Sequence, residues 1–308
     1  LRYAPHTGTA GEERLISQAG RMTTTPTDFY GVLKYADMPY PEIVLSTGEK
    51  VRLDDAAYVR CRAAANRDDR RRVFRAFWGA HQDFARSLGT ALDAEVRTHL
   101  FEKDAHHYAS CLEAALFPSA LPPAVYTQLI ADVHANLPTL HRYLRLRRRM
   151  MGLDTLGYED LYAPIVKQLD LHYTPEQAQE LVLAAVAPLG ADYVATLKRG
   201  YASRWVDWMP TTGKQSGAYS GGVYGAHPYQ LLNFNGLYDD VSTLAHESGH
   251  SMHSWLSATH QPYVTSGYKT FIAEVASTLD ENLLLHYVLD HTRDRDTRLF
   301  LLGSRLDG

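Results

Sequence analysis

Residues His246-Glu247-Ser248-Gly249-His250 constrain the folding of this chain more than any other stretch. The pattern is H-E-x-x-H, and the spacing makes chemical sense on a helix, where residues four apart project from one face. There His246 and His250 both reach a single metal ion, and Glu247 stands beside it, able to take a proton from a water activated at that ion. The flanking residues favour a helix. Asp239 and Asp240 precede the run and suit the free N–H groups and positive dipole end of a helix start. Leu244, Met252, Trp255 and Leu256 supply apolar positions for packing. Gly249 is the exception, because glycine in a helix interior costs about 1 kcal/mol relative to alanine. Its place between the two histidines predicts the close approach of another element, such as a second helix. His253 lies seven residues beyond His246 on the same face and is expected to be a packed histidine or a hydrogen-bonding neighbour of the ligands.

A hydrolytic zinc site needs a third protein ligand and one open position. Glu274, in Phe271-Ile272-Ala273-Glu274-Val275-Ala276-Ser277, is the best candidate. A break containing Pro262 and Gly267 gives the chain enough loop to turn back. The segment from about Lys269 to His286 then reads as a second helix carrying Ile272, Val275, Ala276, Leu279 and Leu283. Glu274 and Glu281 are seven apart on one face of it. A carboxylate in so apolar a segment is expensive to bury unless paired or bound to metal. The expected set is thus one Zn2+ per chain held by His246, His250 and Glu274. Glu281 either orients an imidazole or is a surface carboxylate.

Elsewhere helices dominate. Residues 54 to about 100 read as one long helical stretch with Tyr58, Phe74, Phe77, Trp78 and Phe84 as buried stripes. Pro122-Pro123 opens another helix running toward Met150, which Pro138 should bend or divide. Thr174-Pro175-Glu176 is a strong helix start. Arg70-Arg71-Arg72 and the arginines of 145–149 read as solvated helix faces. One region, 213–235, reads as strand and turn. Its glycines do not make a phosphate loop, since no G-K-[ST] or G-x-G-x-x-G falls between a strand and a helix. It is expected instead to place a sheet edge beside the metal, where an extended peptide can add as a further strand. Small residues such as Gly217 and Ala218 would let a substrate backbone come close. Tyr219, Tyr224 and His227 are tempting hydrogen-bond donors, but the chain has 20 tyrosines, and they are assigned to packing or substrate contact. A soft boundary falls near Gly190, separating a helical body (1–190) from a metal-bearing part (191–308) with the small sheet and both ligand helices.

Composition sets limits. A net charge of −4 gives no bulk attraction to nucleic acid or anionic membrane. No apolar run approaches the roughly 20 residues of a membrane span. Two cysteines, Cys61 and Cys111, make no disulfide framework and fit a reducing cytoplasm. The sequence does not fix an oligomeric state.

Several stretches together resemble the oligoendopeptidase F family, relatives of thimet oligopeptidase. They are Gly-Lys-Gln-Ser-Gly-Ala-Tyr-Ser (213–220), His-Pro-Tyr-Gln-Leu-Leu-Asn-Phe (227–234), Leu-Ala-His-Glu-Ser-Gly-His-Ser-Met-His (244–253) and Ala-Glu-Val-Ala-Ser-Thr-Leu-Asp-Glu (273–281). Upstream, 110–118, 137–143 and Asp160-Leu161-Tyr162-Ala163-Pro164 match as well, so the resemblance covers most of the chain. Asp280 stands where the family usually has Asn. The resemblance implies a mainly α, multi-helix, two-lobed architecture with a small β-sheet next to the H-E-x-x-H helix, the 1–190 body flanking a channel that admits short peptides. It implies a zinc endopeptidase of oligopeptides with Glu247 as general base. In that family the groups that steady the oxyanion are Tyr and His residues far downstream of the Glu ligand. Leu299 to Gly308 looks like the start of another family helix. The chain is therefore expected to be a fragment lacking a C-terminal and an N-terminal part. The alternative reading is a catalytically incomplete helical module that binds peptide without cleaving it; a metal hydrolase of other substrates is less favoured, because nothing suggests a phosphate or nucleoside pocket.

Overall fold

The computed structural model describes residues 2–165 and 171–307. In chain order the helices are α1 (Ala10–Thr23), α2 (Thr25–Val32), α3 (Asp55–Cys61), α4 (Arg67–Asp83), α5 (Ala85–Ala105), α6 (Cys111–Leu116), α7 (Pro123–Met150), α8 (Pro175–Ala185), α9 (Ala191–Ala202), α10 (Tyr238–His260), α11 (Thr270–His291) and α12 (Arg295–Asp307). The strands are short: β1 (Glu42–Val44), β2 (Lys50–Arg52), β3 (Val206–Asp207), β4 (Tyr219–Gly221) and β5 (Tyr229–Leu231). The fold is mainly α, as expected. The helix expected from Leu299 is part of α12, and Gly308 lies outside the described residues.

The chain divides into two compact units, Leu1–Asp54 with Arg72–Arg149, and Asp55–Arg71 with Met150–Gly308. The soft boundary near Gly190 falls between α8 and α9, both of which belong to the second unit.

In the first unit α1 opens on a capping box, in which Glu12 accepts from the Thr9 N–H at 2.7 Å and Thr9 Oγ1 accepts from the Glu12 N–H. β1 and β2 form an antiparallel hairpin with Ile43 opposite Val51. It turns at Gly48, whose φ of +87° is a conformation that suits glycine. This hairpin is too short to carry a clear alternation, and the sequence reading had only one strand region. α7 is continuous over 28 residues with Pro138 inside it, so of the bend or division expected there the division does not occur; a single missing N–H leaves the rest of a long ladder intact.

The stretch from residue 54 to about 100 is three helices rather than one. Asn66 breaks it: its Oδ1 accepts from the Asp68 N–H at 2.8 Å and the Asp69 N–H at 3.2 Å, capping α4. Tyr58 and Phe77 are buried, but Trp78 is 47% exposed. The basic clusters also differ from a solvated face, because Arg70 and Arg147 are buried. In the second unit Arg70 donates to the Ala64 and Ala65 carbonyls and, with Arg67, grips the fully buried Asp160. Burial alone would raise the Asp160 carboxyl, but the hydrogen bonds from Arg67, the Gly157 N–H and Arg70 outweigh it and hold it at about 2.

The second unit is built around α10. Thr174 caps α8 through a capping box with Gln177, and the apolar faces of α8 and α9 meet α10 through Val182, Leu197, Val241, Leu244 and Met252. A three-stranded sheet of order β3-β5-β4 lies against α10, with β3 parallel and β4 antiparallel to β5. Asp240, in the first turn of α10, accepts from the Leu237 and Asn235 N–H groups. α11 packs along α10 at Gly249, where an added Cβ would stand 2.7 Å from the Ala276 carbonyl oxygen and 2.7 Å from Ser277 Cα. The close approach predicted for that glycine is present, and the neighbour is a helix. Those atoms are backbone and cannot rotate aside. In Gly249→Ala, overpacking costs about 1–3 kcal/mol against the ~1 kcal/mol that alanine gains in helix propensity. Urea denaturation should show the variant net destabilised; unchanged stability would mean the two helices separate freely.

Candidate metal centre

Four-residue spacing on α10 puts the two imidazoles side by side, and the α10–α11 contact brings a carboxylate to them. His250 Nε2 lies 3.1 Å from His246 Nε2, and Glu274 Oε2 lies 3.3 Å from each. An ion with tetrahedral bonds of about 2.0–2.1 Å separates its ligand atoms by about 3.3 Å. Two imidazole nitrogens and a carboxylate oxygen at these distances are a donor set that zinc accepts. Among the described residues this trio is the group able to hold a metal ion.

The surroundings orient the trio. His246 Nδ1 donates to Glu281 Oε1 at 2.5 Å, which turns the Nε2 lone pair toward His250 and Glu274. That hydrogen bond raises the His246 ring against the effect of burial, whereas burial lowers His250 and favours its neutral, ligating form. Ser277 Oγ donates to Glu274 Oε2 at 2.7 Å and keeps that carboxyl below its ordinary range. Glu274 is exposed, so the cluster opens to solvent on its side. Glu247 is the opposite case. It is buried, and burial pushes its carboxyl up to about 7, with His246 opposing and Glu274 and Glu281 assisting.

The other predicted residues fall at varying distances from this chemistry. His253 stacks on Tyr268 at 3.7 Å and is packed rather than grouped with the ligands. Ala218 lines a cavity of about 590 Å³ in the second unit together with His246, Glu247, Glu281, Arg62 and Arg305. Tyr219 begins the edge strand β4 and is half exposed. Gly217 is fixed just before it, its carbonyl accepting from Asn233 Nδ2 at 2.8 Å. Tyr224 and His227 turn elsewhere: the Tyr224 hydroxyl donates to the Gln261 carbonyl, and His227 Nδ1 donates to the Pro228 carbonyl while its ring stacks on Trp205.

The sequence reading did not single out Ser277 or the buried pair of Asp280 and Tyr193. Ser277 lies three residues beyond Glu274, one helical turn on, and that spacing was the available signal. Tyr193 donates to Asp280 Oδ2 at 2.9 Å, 87 residues away in sequence, and no local pattern announces it.

Residues 61–307 match peptidase family M3. The chain belongs to that family. Among its relatives, oligopeptidase PepF of Bacillus subtilis is 36% identical over 99% of this chain and 45% of its own length. Group B oligopeptidase PepB of Streptococcus agalactiae is 34% identical over 99% of this chain and 50% of its own length. The crystal structure of oligoendopeptidase-F from Enterococcus faecium superposes with a TM-score of 0.68 at 28% identity, over 99% of this chain and 48% of that one. The chain thus spans about half the length of the curated relatives it matches. Among the described residues of this M3 chain, no helix is long and apolar enough to cross a membrane.

The M3 chain carries a buried carboxyl whose effect on stability is predictable. Burial pushes Asp280 up from 3.8 to about 6, against the hydrogen bond from Tyr193. A folded value above the unfolded one means that this group's contribution is full below about 3.8 and is lost as pH rises through about 6. Asp280→Asn keeps an acceptor for Tyr193 without the charge. It should stabilise the protein on the order of 2 kcal/mol at about pH 8, and the gain should shrink toward zero at about pH 4. A pH series of denaturation curves measures this; a gain independent of pH would contradict the assignment.

Proposed function

We propose that this chain carries the catalytic centre of a zinc endopeptidase that hydrolyses short peptides. The observation that carries the reading is the convergence of His246 Nε2, His250 Nε2 and Glu274 Oε2 within 3.1–3.3 Å of one another, next to the buried carboxyl of Glu247. The relatives' names, oligopeptidase and oligoendopeptidase, point the same way. His246, His250 and Glu274 would hold one zinc ion. When bound, zinc supplies Lewis-acid polarisation of a carbonyl and of an attacking water.

The chain's own residues do the rest. Glu281 keeps His246 in the tautomer that ligates, and Ser277 aims Glu274. Glu247, with its carboxyl near 7, is balanced to take the water's proton and pass it to the leaving amine. The outer edge of β4 pairs with an extended peptide, and Ala218, beside the cavity that holds Glu247, lets the peptide backbone come close. Neither a nucleic acid nor a membrane is part of this reading, and the two-cysteine composition suits a cytoplasmic setting.

The test uses the full-length protein, a quenched-fluorescent oligopeptide and metal analysis. Glu247→Gln should lower kcat by about 10²–10⁴-fold with zinc retained, whereas His250→Ala should lose zinc and activity together. Cleavage that survives Glu247→Gln, or a parent protein that hydrolyses peptide after complete removal of metal, would overturn the mechanism.

A further inference from the structure

A buried polar seam joins the sheet to α10. Gln230 sits in β5 and is 2% exposed. Its Nε2 donates to Ser251 Oγ at 2.9 Å and faces Ser248 Oγ at 3.5 Å. Ser251 Oγ lies 2.8 Å from Ser220 Oγ on β4, and Ser248 Oγ lies 2.7 Å from the Tyr201 hydroxyl on α9. Ser220 and Gln230 are directly opposite in the β4–β5 register, so both point to the same face of the sheet. Leu232, just beyond β5, and Leu244 and Met252 on α10 are buried members of the apolar core.

Such a seam fixes register. Side chains alternate faces along a strand, so a slip of β4 by one residue would turn Ser220 away and strand buried polar groups without partners. An apolar seam would tolerate sliding much better. Glu247 and Ser251 are four apart on α10 and share a face. Ser220 of the edge strand therefore meets α10 at Ser251, one helical turn from Glu247.

We propose that Gln230, Ser251 and Ser220 form a positioning device that sets the edge strand β4 at the height where a peptide paired with it presents its carbonyl to Glu247 and the metal ligands. This rests on the reading of β4 as the peptide-binding edge. None of the three is a metal ligand, so disturbing them should misplace the peptide while leaving the metal site intact.

The test compares Gln230→Met, which keeps length but removes the amide, and Ser220→Ala, which keeps the backbone N–H and leaves a smaller disturbance should the first variant fold poorly. Both are made in the full-length protein and assayed with an oligopeptide and with its counterpart N-methylated at one backbone amide. The parent should cleave the N-methylated peptide about ten-fold less efficiently, because the edge loses a hydrogen bond. Each variant, with full zinc content and an unchanged pH profile, should lose about ten-fold in kcat/KM on the plain peptide, and the ratio between the two peptides should fall toward one. Variants that keep the parent's ratio, or that lose zinc in proportion to activity, overturn the positioning role alone. A parent indifferent to N-methylation overturns the edge-pairing reading and the device with it.

Discussion

The contact of α10 with α11 at Gly249 determines what the second unit can do. A single helix places two imidazoles together by its own repeat, but a third ligand has to arrive from elsewhere at the right distance. Without a Cβ at Gly249, the backbone of Ala276 and Ser277 comes close enough that an added carbon would stand 2.7 Å from it. Glu274, on the preceding turn of α11, then reaches both His246 and His250 at 3.3 Å. Glu281, two turns further, meets the other nitrogen of His246. One interhelical spacing thus sets both the cluster of His246, His250 and Glu274 and the Glu281 carboxylate beside it.

The site is held at a cost in stability. Glu247 and Asp280 are carboxyls that burial pushes up to about 7 and about 6, and neither has a cation pressed against it as Asp160 has. Asp160 shows the contrasting arrangement, with two guanidiniums holding it at about 2. A carboxyl left without such a partner is costly for folding but useful to a proton-transferring group, whose best value lies near the working pH. On the sheet side of α10 the polar seam replaces apolar packing and in return specifies a single register.

The parts of this arrangement that were legible in the sequence are those written in local spacing. His246, Glu247 and His250 follow from four-residue periodicity, Gly249 from the oddness of a glycine between them, and the α11 start and Glu274 from a break followed by an apolar helix. Thr174-Pro175 marked α8 correctly. The errors came where a short polar signal was outweighed by a long periodic one. Asn66 caps a new helix inside what reads as a continuous stretch, and Arg70 is buried because Asp160, 90 residues away, meets it. The seam of Ser220, Gln230, Ser248 and Ser251 was invisible for the same reason, since each residue looks ordinary until strand pairing and helix packing bring them together.

Membership of peptidase family M3 over residues 61–307 and the geometry of the trio converge on one claim, that His246, His250 and Glu274 share a zinc ion. The most direct measurement is an anomalous-difference map collected on either side of the zinc absorption edge from crystals of the protein. A single peak bounded by His246 Nε2, His250 Nε2 and the Glu274 carboxylate, present above the edge and absent below it, is the expected result. Zinc found at other side chains, or no peak at this trio after exposure to the metal, would contradict it.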